Sequence, residues 1–556
     1  ARADSPLSVG RSGRPDLPVL IYVGARCRHL PALAGQATGW RQGNEQDNPE
    51  AAWPPTVRGF VMATETEVKL SLSARSASQL SRHPLLAELE PQRQRLINTY
   101  YDTADNRLRK EGIVVRHRQK GRQWLCGVKT AVPLSGGLAQ RKEWEFPGHP
   151  GEFDFSRVDQ SSVRDLVEAL RDQLQPLFTT RFTRTAWMLE PRAGVRVEVA
   201  LDRGWIDAGG RREEIREVEL ELCAGAVSDL FEVTAALQAG LRLHPEARSK
   251  SDRAYRLLAD LPVTAAKAIA IPIDAGLSTI ATFRLVALAC VNHLQRNEQG
   301  LCQTDAPEFV HQARVAIRRL RSAIRVWQRH LPEAFVARFD PLWRELAQGL
   351  GEARNWDVFL AATLPVLGES LPDSGGIDQL HTRARQRCRS SRQLARRALS
   401  SPAYSRLLVD FTAALLALPE ASPAPVGSFV PAWLEKCTRR VNQRALHALG
   451  SDDAARHRLR LAFKQLRYAV EFFSPLFAAG PALDNYQQAV AALQELLGSQ
   501  NDLTVAMQLT GETLPAAVAA PILDWLGRQS ESLLPELGAR LDNFRQQQTP
   551  WRQLSA

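Results

Sequence analysis

Three charged residues occupy alternate positions in one short segment, at Glu65, Glu67 and Lys69. Alternate side chains leave a β-strand on the same face, so these three would share a face opposite Val68 and Leu70. Two carboxylates about 7 Å apart, followed by an ammonium group, can hold a divalent cation next to a phosphate group. The spacing therefore indicates that the chain handles a polyanion together with a metal.

The alternative interpretation is the solvated outer face of an ordinary strand, although Glu and Lys are poor strand formers. Later segments repeat the alternation of charged with other residues. Their charged residues are Arg116 and Arg118; Lys129; Arg141, Glu143 and Glu145; Arg196, Glu198 and Asp202; and Glu217, Glu219 and Glu221. Cations gather on some of these strands and carboxylates on others.

This sorting of charge by strand indicates how the strands are arranged. An antiparallel sheet with one face in water would explain the alternation but not the sorting. A closed barrel with a charged inner wall explains both, with aliphatic faces packed outward against helices. Such a lumen is too polar to be a core, so we expect it to hold water, ions and an anionic ligand.

The order of the motifs resembles that of a known family. The motifs are Glu65-x-Glu67-x-Lys69, Tyr100-Tyr101-Asp102-Thr103, Arg116-His117-Arg118, Lys129-Thr130, the Arg141-to-Glu145 strand, Ala200-Leu201-Asp202-Arg203-Gly204 and the late Glu-x-Glu strand. Together they resemble a CYTH domain, the triphosphate tunnel fold, over about residues 62–262. The resemblance implies an antiparallel eight-stranded β-barrel with flanking helices, and it points most to bacterial inorganic triphosphatases.

The resemblance also implies roles for individual residues. It implies a Mg²⁺ or Mn²⁺ cofactor, bound by Glu65, Glu67, Glu217 and Glu219, while Asp202 positions the metal or orients water. The implied catalytic and phosphate-binding cations are Lys69, Arg116, Arg118, Lys129, Arg141, Arg184 and Lys250. Three alternatives stay open: Glu219 with Glu221 as the late ligand pair, Arg181 in place of Arg184, and a surface position for Lys250.

Such residues suit phosphoryl transfer, in which catalysis comes from positioning and from neutralising charge on the transferring oxygens. Arg and Lys can hold a linear triphosphate, Arg often with two parallel hydrogen bonds. One metal ion would bridge the substrate and the glutamates, and a second could activate the attacking water. Hydrolysis would release pyrophosphate and orthophosphate. The sequence shows neither a Ser/His/Asp arrangement nor a Walker loop, which disfavours covalent and P-loop mechanisms.

The sequence changes character from about residue 275. Strand alternation gives way to long segments rich in Ala, Leu and Arg with helical periodicity. Pro262 and Pro272 lie around the junction, so we expect residues 263–276 to form a linker. We therefore predict an α+β protein whose second domain, residues 277–550, is an all-α helical bundle.

Two stretches of this second half share one spacing of basic residues. Each begins with a histidine and continues at intervals of three, four, three and four residues, which places the set on one helix face. The stretches are His311, Arg314, Arg318, Arg321 and Arg325, and His457, Arg460, Lys464, Arg467 and Glu471. A related signature follows each, LGEARNWD at 350–357 and LGSQND at 497–502. Two copies of one helical module with pseudo-two-fold symmetry would account for the repeat.

Neighbouring like charges on a helix repel, so the stripes cost stability unless an anion offsets the repulsion. One stripe would indicate a solvated basic face, but two matching stripes favour a phosphate-binding surface. This half resembles a CHAD domain, a helical module associated with inorganic polyphosphate, which implies polyphosphate as the partner of the basic stripe residues. His293 belongs either to this surface or to the core. Metal binding by His311 and His457 is disfavoured, since an Arg follows each at the third position.

The overall charge favours an acidic partner. The chain has 71 Lys and Arg against 60 Asp and Glu, a net charge of +11. Nucleic acid is the weaker choice, because no recognised binding motif or aromatic-interleaved basic patch occurs. Seven dispersed cysteines without a Cys-x-x-Cys pair favour reduced thiols and a cytoplasmic protein. No apolar run reaches the roughly 18 residues of a membrane span.

Residues 1–61 are rich in Pro, Gly, Arg and Ala and lack sustained periodicity, so we expect a disordered leader outside the fold. The leading hypothesis is a metal-dependent inorganic triphosphatase whose helical half binds polyphosphate. The alternatives are a class IV-type adenylyl cyclase or another organic triphosphatase, and a non-catalytic protein that binds polyphosphate granules.

Overall fold

The computed structural model describes residues 65–130, 136–372, 375–420, 424–450 and 453–555. The leader predicted at residues 1–61 lies outside the described residues. Ten strands occur in the described N-terminal part: β1 (Glu65–Leu72), β2 (Gln92–Asp102), β3 (Ile113–Lys120), β4 (Gln123–Thr130), β5 (Leu138–Arg141), β6 (Glu143–Pro147), β7 (Gln175–Arg192), β8 (Val195–Ala208), β9 (Arg211–Ala224) and β10 (Leu243–Pro245).

Helices are short among the strands and long after them. Those of the N-terminal part are α1 (Ala74–Gln79), α2 (Arg107–Lys110), α3 (Ser161–Leu170), α4 (Val227–Gly240) and α5 (Lys250–Leu258). Those of the C-terminal part are α6 (Thr279–Gln303), α7 (Pro307–Trp327), α8 (Glu333–Val358), α9 (Leu364–Ser370), α10 (Gly376–Leu399), α11 (Pro402–Leu416), α12 (Val430–Ala445), α13 (Asp453–Phe473), α14 (Pro481–Thr513), α15 (Ala516–Ser532) and α16 (Leu534–Gln546). The predicted α+β class, with strands first and helices after, is confirmed.

The strands form one curled antiparallel sheet in the order β10-β1-β9-β8-β7-β2-β3-β4-β6. Strand β5 pairs with β1, and the directly following β6 pairs with β4. Hydrogen bonding therefore leads from β4 through residues 138–147 back to β1, and the sheet curls round on itself. Counting β5 and β6 as one interrupted strand, and leaving the three-residue β10 aside, gives the predicted eight strands.

The outward face of β1, β8 and β9 is apolar, as the alternation predicts. Val68 and Leu70 of β1 are fully buried and pack with Val218 and Leu220 of β9 in one hydrophobic cluster. Helix α4 covers this cluster with apolar side chains such as Leu230. Burial of these side chains fixes the register, since a slip by one residue would turn the charged face outward.

The inward face is not charged along its whole length, which corrects the expectation of a wholly polar lumen. Phe182 and Ile206 lie on the same strand faces as Arg184 and Asp202, yet both belong to an apolar cluster inside the curled sheet. Helix α5 completes this cluster with Tyr255, whose hydroxyl donates to Asp102 Oδ2 at 2.7 Å. One end of the interior is therefore a small hydrophobic core, and the charged groups lie beyond it.

The C-terminal helices enclose a separate large core. The helices that carry the two basic stripes, α7 and α13, have 21 residues each. They contact each other, since the Arg319 guanidinium pairs with Glu471 at 2.9 Å and Arg318 donates to the Tyr468 hydroxyl. The two copies of the predicted repeat thus lie side by side. None of the helices in the described residues combines the length and apolarity needed to cross a bilayer.

The N-terminal and C-terminal parts are connected by residues 263–276 and also pack against each other. Residues 263–276 contain neither helix nor strand, and Ile271 and Ile273 are buried in the helical core. Val409 of α11 is buried in the cluster under α4, so a helix of the C-terminal part completes the outer packing of the sheet.

Shortening one buried side chain tests whether this end of the barrel is a hydrophobic core. We expect Ile206→Ala to lower the free energy of unfolding by about 2–5 kcal/mol, because the side chain is fully buried. The control is Met188→Ala on β7, whose side chain is 38% exposed and whose loss should cost about 0.5 kcal/mol or less. Urea denaturation measures both. Equal, small losses would show that this end of the interior is wet.

Candidate functional site

The interior of the curled sheet contains a cavity of about 260 Å³. Its lining includes nine of the residues predicted from the sequence: Glu65, Lys69, Arg116, Arg118, Lys129, Arg141, Arg184, Glu219 and Lys250. Glu67, Asp202 and Glu217 are buried next to it and bond to lining residues. The structure thus brings every candidate residue of the N-terminal part to one place.

Two lysines and three carboxylates form the centre of this site. Lys69 Nζ lies 3.0 Å from Glu219 Oε1 and 3.6 Å from Glu217 Oε1. Lys250 Nζ donates to Asp202 Oδ2 at 2.7 Å and to Glu219 Oε1 at 2.9 Å. Burial alone would lower the pKa of both lysines, but these carboxylates outweigh it and raise both pKa values above the ordinary one. Both lysines are therefore charged at neutral pH.

The alternative placements of Arg184 and Lys250 are decided by the geometry. Arg184 makes two hydrogen bonds of 2.8 Å to the carboxylate of Asp202 and also contacts Glu219. Arg181 lies on the opposite strand face, where its side chain is 58% exposed and 3.9 Å from Asp207. Lys250 is the first residue of α5 and is buried, so it is not a surface lysine.

The carboxylates of Asp202, Glu217 and Glu219 could hold a metal ion. One oxygen from each lies within 4.8 Å of the others, and they form the single such group in the part of the chain that the structure describes. Buried carboxylate oxygens are the ligands that hard divalent cations prefer. Glu65 and Glu67 lie outside this group because Arg141 holds them, at 3.1 and 2.6 Å. The donor set fits a divalent cation, and the identity of the metal stays open.

A second group of cations lies on β3, β4 and β5. Arg116 pairs with Glu143 at 3.0 Å, Arg118 with Glu145 at 3.0 Å, and Lys129 with Glu65 at 3.2 Å. The Nε of Arg116 is buried and has no hydrogen-bond acceptor among the described residues. This group therefore retains capacity to bind a further anion.

Glu221 differs from the other carboxylates of β9. It lies opposite Glu67 on β1 and Glu198 on β8, so it faces carboxylates instead of lysines. Burial, together with the nearby charges of Glu65 and Glu198, raises the pKa of Glu221 to about 7. Glu217 and Glu219 have depressed pKa values, since Lys250 and Lys69 outweigh the effect of burial. All three face the interior, but only Glu221 exchanges a proton near neutral pH.

Two residues of the site were missed from the sequence. Arg253 is buried, and its guanidinium donates to Glu217 at 3.2 Å and to Glu213 at 2.7 Å. Its position one helical turn after Lys250 was the available signal. Tyr100 lines the cavity and stacks on Phe178, with ring centroids 4.8 Å apart. Burial raises its pKa, but Arg116, Lys250 and Arg118 outweigh this and lower it.

The helical part contains two basic cavities. One, of about 340 Å³, is lined by residues of both repeats: His311, Arg314, Arg318, Arg354, Arg460 and Lys464, with Asp502. The other, of about 720 Å³, is lined by Arg314, Arg318, Arg321, Arg344 and Arg387, with Glu352 and Glu512. Arg314 and Arg318 belong to both, so the two cavities adjoin.

Three cations of the smaller cavity are poorly compensated, whereas Arg321 and Arg344 of the larger one pair with Asp340. Burial and the neighbouring guanidinium groups lower the pKa of Lys464 to about 6 and the pKa values of Arg314 and Arg460 to about 10. The Nε of Arg460 is buried without a hydrogen-bond acceptor in the described chain. Such a cluster of unbalanced charge favours an anion.

Other predicted residues of the stripes lie elsewhere. His457 and Arg325 are exposed, and neither they nor Arg467 line the two cavities. His293 is buried and contacts Ala266 and Gln312, and burial lowers its pKa to about 4. It is a core histidine.

The unusual pKa of Glu221 predicts a pH-dependent stability. Its folded-state pKa lies above the ordinary 4.5, so its contribution to the free energy of unfolding falls as pH rises from 4.5 through about 7. We expect Glu221→Gln, in EDTA, to gain melting temperature relative to wild type between pH 5 and pH 8. The control is Glu190→Gln, whose side chain is 66% exposed. A gain that does not change with pH would contradict the raised pKa.

Comparison with known proteins divides the chain in the same way. Residues 63–255 match the CYTH domain family and residues 285–511 the CHAD domain family. The chain is 33% identical over 200 residues to the inorganic triphosphatase of Haemophilus influenzae, covering 35% of this chain and 56% of that protein. It is 30% identical over 223 residues to an uncharacterised protein of Mycobacterium tuberculosis, covering 37% and 40% of the two chains. The chain thus spans about half the length of these relatives.

Solved structures with similar parts include the CHAD domain of Ricinus communis, at 30% identity, with a TM-score of 0.43 and coverage of 52% of this chain and 98% of that one. Another is HpAC1 of Hippeastrum, at 18% identity, with a TM-score of 0.28 and coverage of 36% and 98%. The family matches, and not these structures, assign the two parts: residues 63–255 are a CYTH domain, of the triphosphate tunnel metalloenzyme superfamily, and residues 285–511 are a CHAD domain.

Proposed function

We propose that this protein hydrolyses inorganic triphosphate with the help of a divalent cation. The observation that carries the proposal is the interior cavity, in which cations from five strands and α5 surround one small volume. A linear triphosphate bears several negative charges close together, so it matches such a set of cations better than an ordinary metabolite does. The similarity to the Haemophilus influenzae inorganic triphosphatase supports the same substrate.

Different cations of the cavity bind the two ends of the triphosphate. Arg116, Arg118 and Lys129 line the cavity and hold one end of the triphosphate. Lys69 and Lys250 neutralise charge at the other end, where they now contact carboxylates. Because these cations are fixed before substrate arrives, they need no reorganisation during the reaction.

We propose that Asp202, Glu217 and Glu219 hold the metal. Glu65 and Glu67 become available as further ligands when bound phosphate takes Arg141 from them. A bound Mg²⁺ or Mn²⁺ would neutralise charge on the phosphate oxygens. Asp202 already accepts hydrogen bonds from Arg184 and Lys250, so it is poorly placed to take a proton.

The bond that breaks joins a terminal phosphorus to its bridging oxygen, and the new bond joins that phosphorus to the water oxygen. The products are orthophosphate and pyrophosphate, and the proton leaves with a carboxylate or solvent. No covalent enzyme intermediate is needed.

An adenylyl cyclase is the second enzyme candidate, since it would use the same cations and metal. It also needs a pocket for adenine. The aromatic residues that line the cavity are Tyr100 and Phe182, and both are packed into the apolar cluster at the closed end. That arrangement favours a substrate without a base.

For the helical part, we propose binding of inorganic polyphosphate. Arg314, Arg460 and Lys464 are poorly compensated cations of the smaller cavity. The row of basic residues continues through Arg318 into the larger cavity, where Arg321 and Arg344 pair with Asp340. A flexible polyanion can follow such a row, and its charge would relieve the mutual repulsion of the guanidinium groups. The alternative is a non-catalytic protein that binds polyphosphate granules. Turnover of tripolyphosphate distinguishes the enzyme from such a binding protein.

The triphosphatase proposal is tested by phosphate release from tripolyphosphate, with ATP, thiamine triphosphate and long-chain polyphosphate in parallel. We expect Mg²⁺-dependent turnover that EDTA abolishes. Lys69→Ala and the double variant Glu65→Gln/Glu67→Gln should lose about 10²–10³-fold in kcat/KM, since each removes preorganised charge from the site. Arg181→Ala, which lies outside the cavity, is the control. Cyclic AMP from ATP, with no phosphate from tripolyphosphate, would favour the cyclase instead.

Polyphosphate binding is tested on the full chain by calorimetry. Arg318→Ala should weaken binding by roughly tenfold or more, because a charge-assisted hydrogen bond contributes about 1.5–3 kcal/mol. Arg397→Ala, exposed on α10 and outside both cavities, is the control. Equal affinities for the two variants would contradict the assignment.

The same site predicts a dependence on pH. With a pKa of about 6, Lys464 is neutral at pH 8 in the free protein, and a bound polyanion favours its charged form. Affinity should therefore rise as pH falls from 8 to 6, with uptake of a proton. Lys464→Met should flatten this rise relative to wild type, because His311, whose pKa burial also lowers, is present in both proteins. An unchanged slope would remove Lys464 from the site.

A further inference from the structure

Lys69 lies where the pairing of β1 changes partner. On one edge of β1, residues 65–68 pair with β5 and residues 70–72 pair with β10. The backbone N–H of Lys69 donates to the Gly137 oxygen at 2.8 Å, and its carbonyl oxygen accepts from the Glu246 N–H at 3.0 Å. Gly137 and Glu246 are the residues next to β5 and β10. The place of Lys69 on this edge therefore depends on how the two short strands are held together.

A side chain of the helical part joins them. Gln295 Oε1 accepts from the backbone N–H of Gly136 at 2.8 Å, and its Nε2 donates to the carbonyl oxygen of Pro245 at 3.2 Å. Gly136 and Pro245 directly precede the two residues that bond the backbone of Lys69. Gln295 is only 6% exposed, so both hydrogen bonds are shielded from water. One amide thus bridges both flanks of Lys69.

The turn at Gly136 and Gly137 is closely packed on both sides. Gly136 and Gly137 have φ values of +62° and +85°, which L side chains rarely adopt. A Cβ on Gly137 would lie 2.7 Å from the carbonyl oxygen of Lys69, and one on Gly136 would lie 2.0 Å from Thr412 Oγ1 of α11. The turn is therefore pressed between β1 and the helical part.

Gln295 itself is held in place by its helix. One turn further along α6, Glu298 contacts His244 Nε2 of β10 at 2.8 Å and also binds the Tyr404 hydroxyl. His244 Nδ1 bonds to Ser405 Oγ at 2.8 Å. These contacts fix α6 and α11 against β10, so the amide of Gln295 cannot move independently of the sheet.

We propose that Gln295 is a positioning residue for Lys69. By holding the turn before β5 to the end of β10, it fixes the point of β1 from which Lys69 reaches the interior cavity. The helical part then completes the site of the CYTH domain structurally, in addition to any ligand it binds. The inference rests on the proposed function only in that Lys69 is taken to contact the phosphate chain.

The test compares Gln295→Met with Gln312→Met in the full chain. Both glutamines are buried in the helical part and make two hydrogen bonds, but Gln312 contacts His293 and Glu308, away from the sheet. Amide hydrogen exchange is followed in peptides covering residues 65–72 and 243–246. We expect exchange about tenfold faster or more in these peptides for Gln295→Met, and no change for Gln312→Met.

Kinetics separate positioning from general weakening. Gln295→Met should lower kcat/KM for tripolyphosphate about tenfold in the wild-type background and leave the residual rate of Lys69→Met unchanged, since it acts through Lys69. Gln295→Asn keeps an amide but shortens the side chain, so that it can reach only one of the two partners, and its loss should fall between wild type and Gln295→Met. It also serves if Gln295→Met does not fold.

Two results would overturn the proposal: exchange that is the same in Gln295→Met and wild type, or rate losses of Gln295→Met and Lys69→Met that multiply independently. Absence of triphosphate turnover in the wild type would count against the proposed function alone. The exchange measurement would then still decide whether Gln295 holds Lys69 in place.

Discussion

Compensation among buried charges is the interaction on which the CYTH domain depends. Lys69 and Lys250 are buried, and Arg184 partly buried, together with Asp202, Glu217 and Glu219. Each cation contacts at least two of the carboxylates. Burying ions costs several kcal/mol each, and removing one partner leaves the other without compensation. The set is therefore stable only as a whole, which couples the folding of the barrel to the integrity of its site.

The two parts of the chain treat charge in opposite ways. In the barrel, cations are matched by carboxylates, and a substrate or metal must exchange one set of ion pairs for another. In the helical part, Arg314, Arg460 and Lys464 share a cavity with the carboxylates of Glu495 and Asp502, and their pKa values are nevertheless lowered. The first arrangement favours selection of a compact ligand of defined geometry, whereas the second favours attraction of a long polyanion.

The contacts between the CYTH and CHAD domains give a physical basis for one domain to affect the other. Val409 of α11 is buried in the same cluster as Val68 and Leu70 of β1. Gln295 adds directional hydrogen bonds on the edge of that strand, at the residue that reaches the cavity. Apolar packing sets the distance between α11 and the sheet. The Gln295 amide fixes the position of β1 at Lys69.

The sequence by itself was sufficient to predict which residues share a strand face, that acidic and basic groups converge, and that the helical part contains a repeat. These follow from local periodicity, because a residue's position in a strand or helix decides the face on which it lies. Arg181 and Arg184, three residues apart on one strand, could be told apart only by their surroundings. The sequence also gave no reason to expect that Phe182 and Ile206 close one end of the lumen.

Tertiary structure decided which charges meet. Periodicity placed Glu217, Glu219 and Glu221 on one face, but only cross-strand neighbours made two of them partners of lysine and left the third among carboxylates. Gln295 carried no signal at all, since its role depends on residues 159 and 50 positions away. Local pattern fixes the direction of a side chain, whereas its partner is set by packing between segments far apart in the chain.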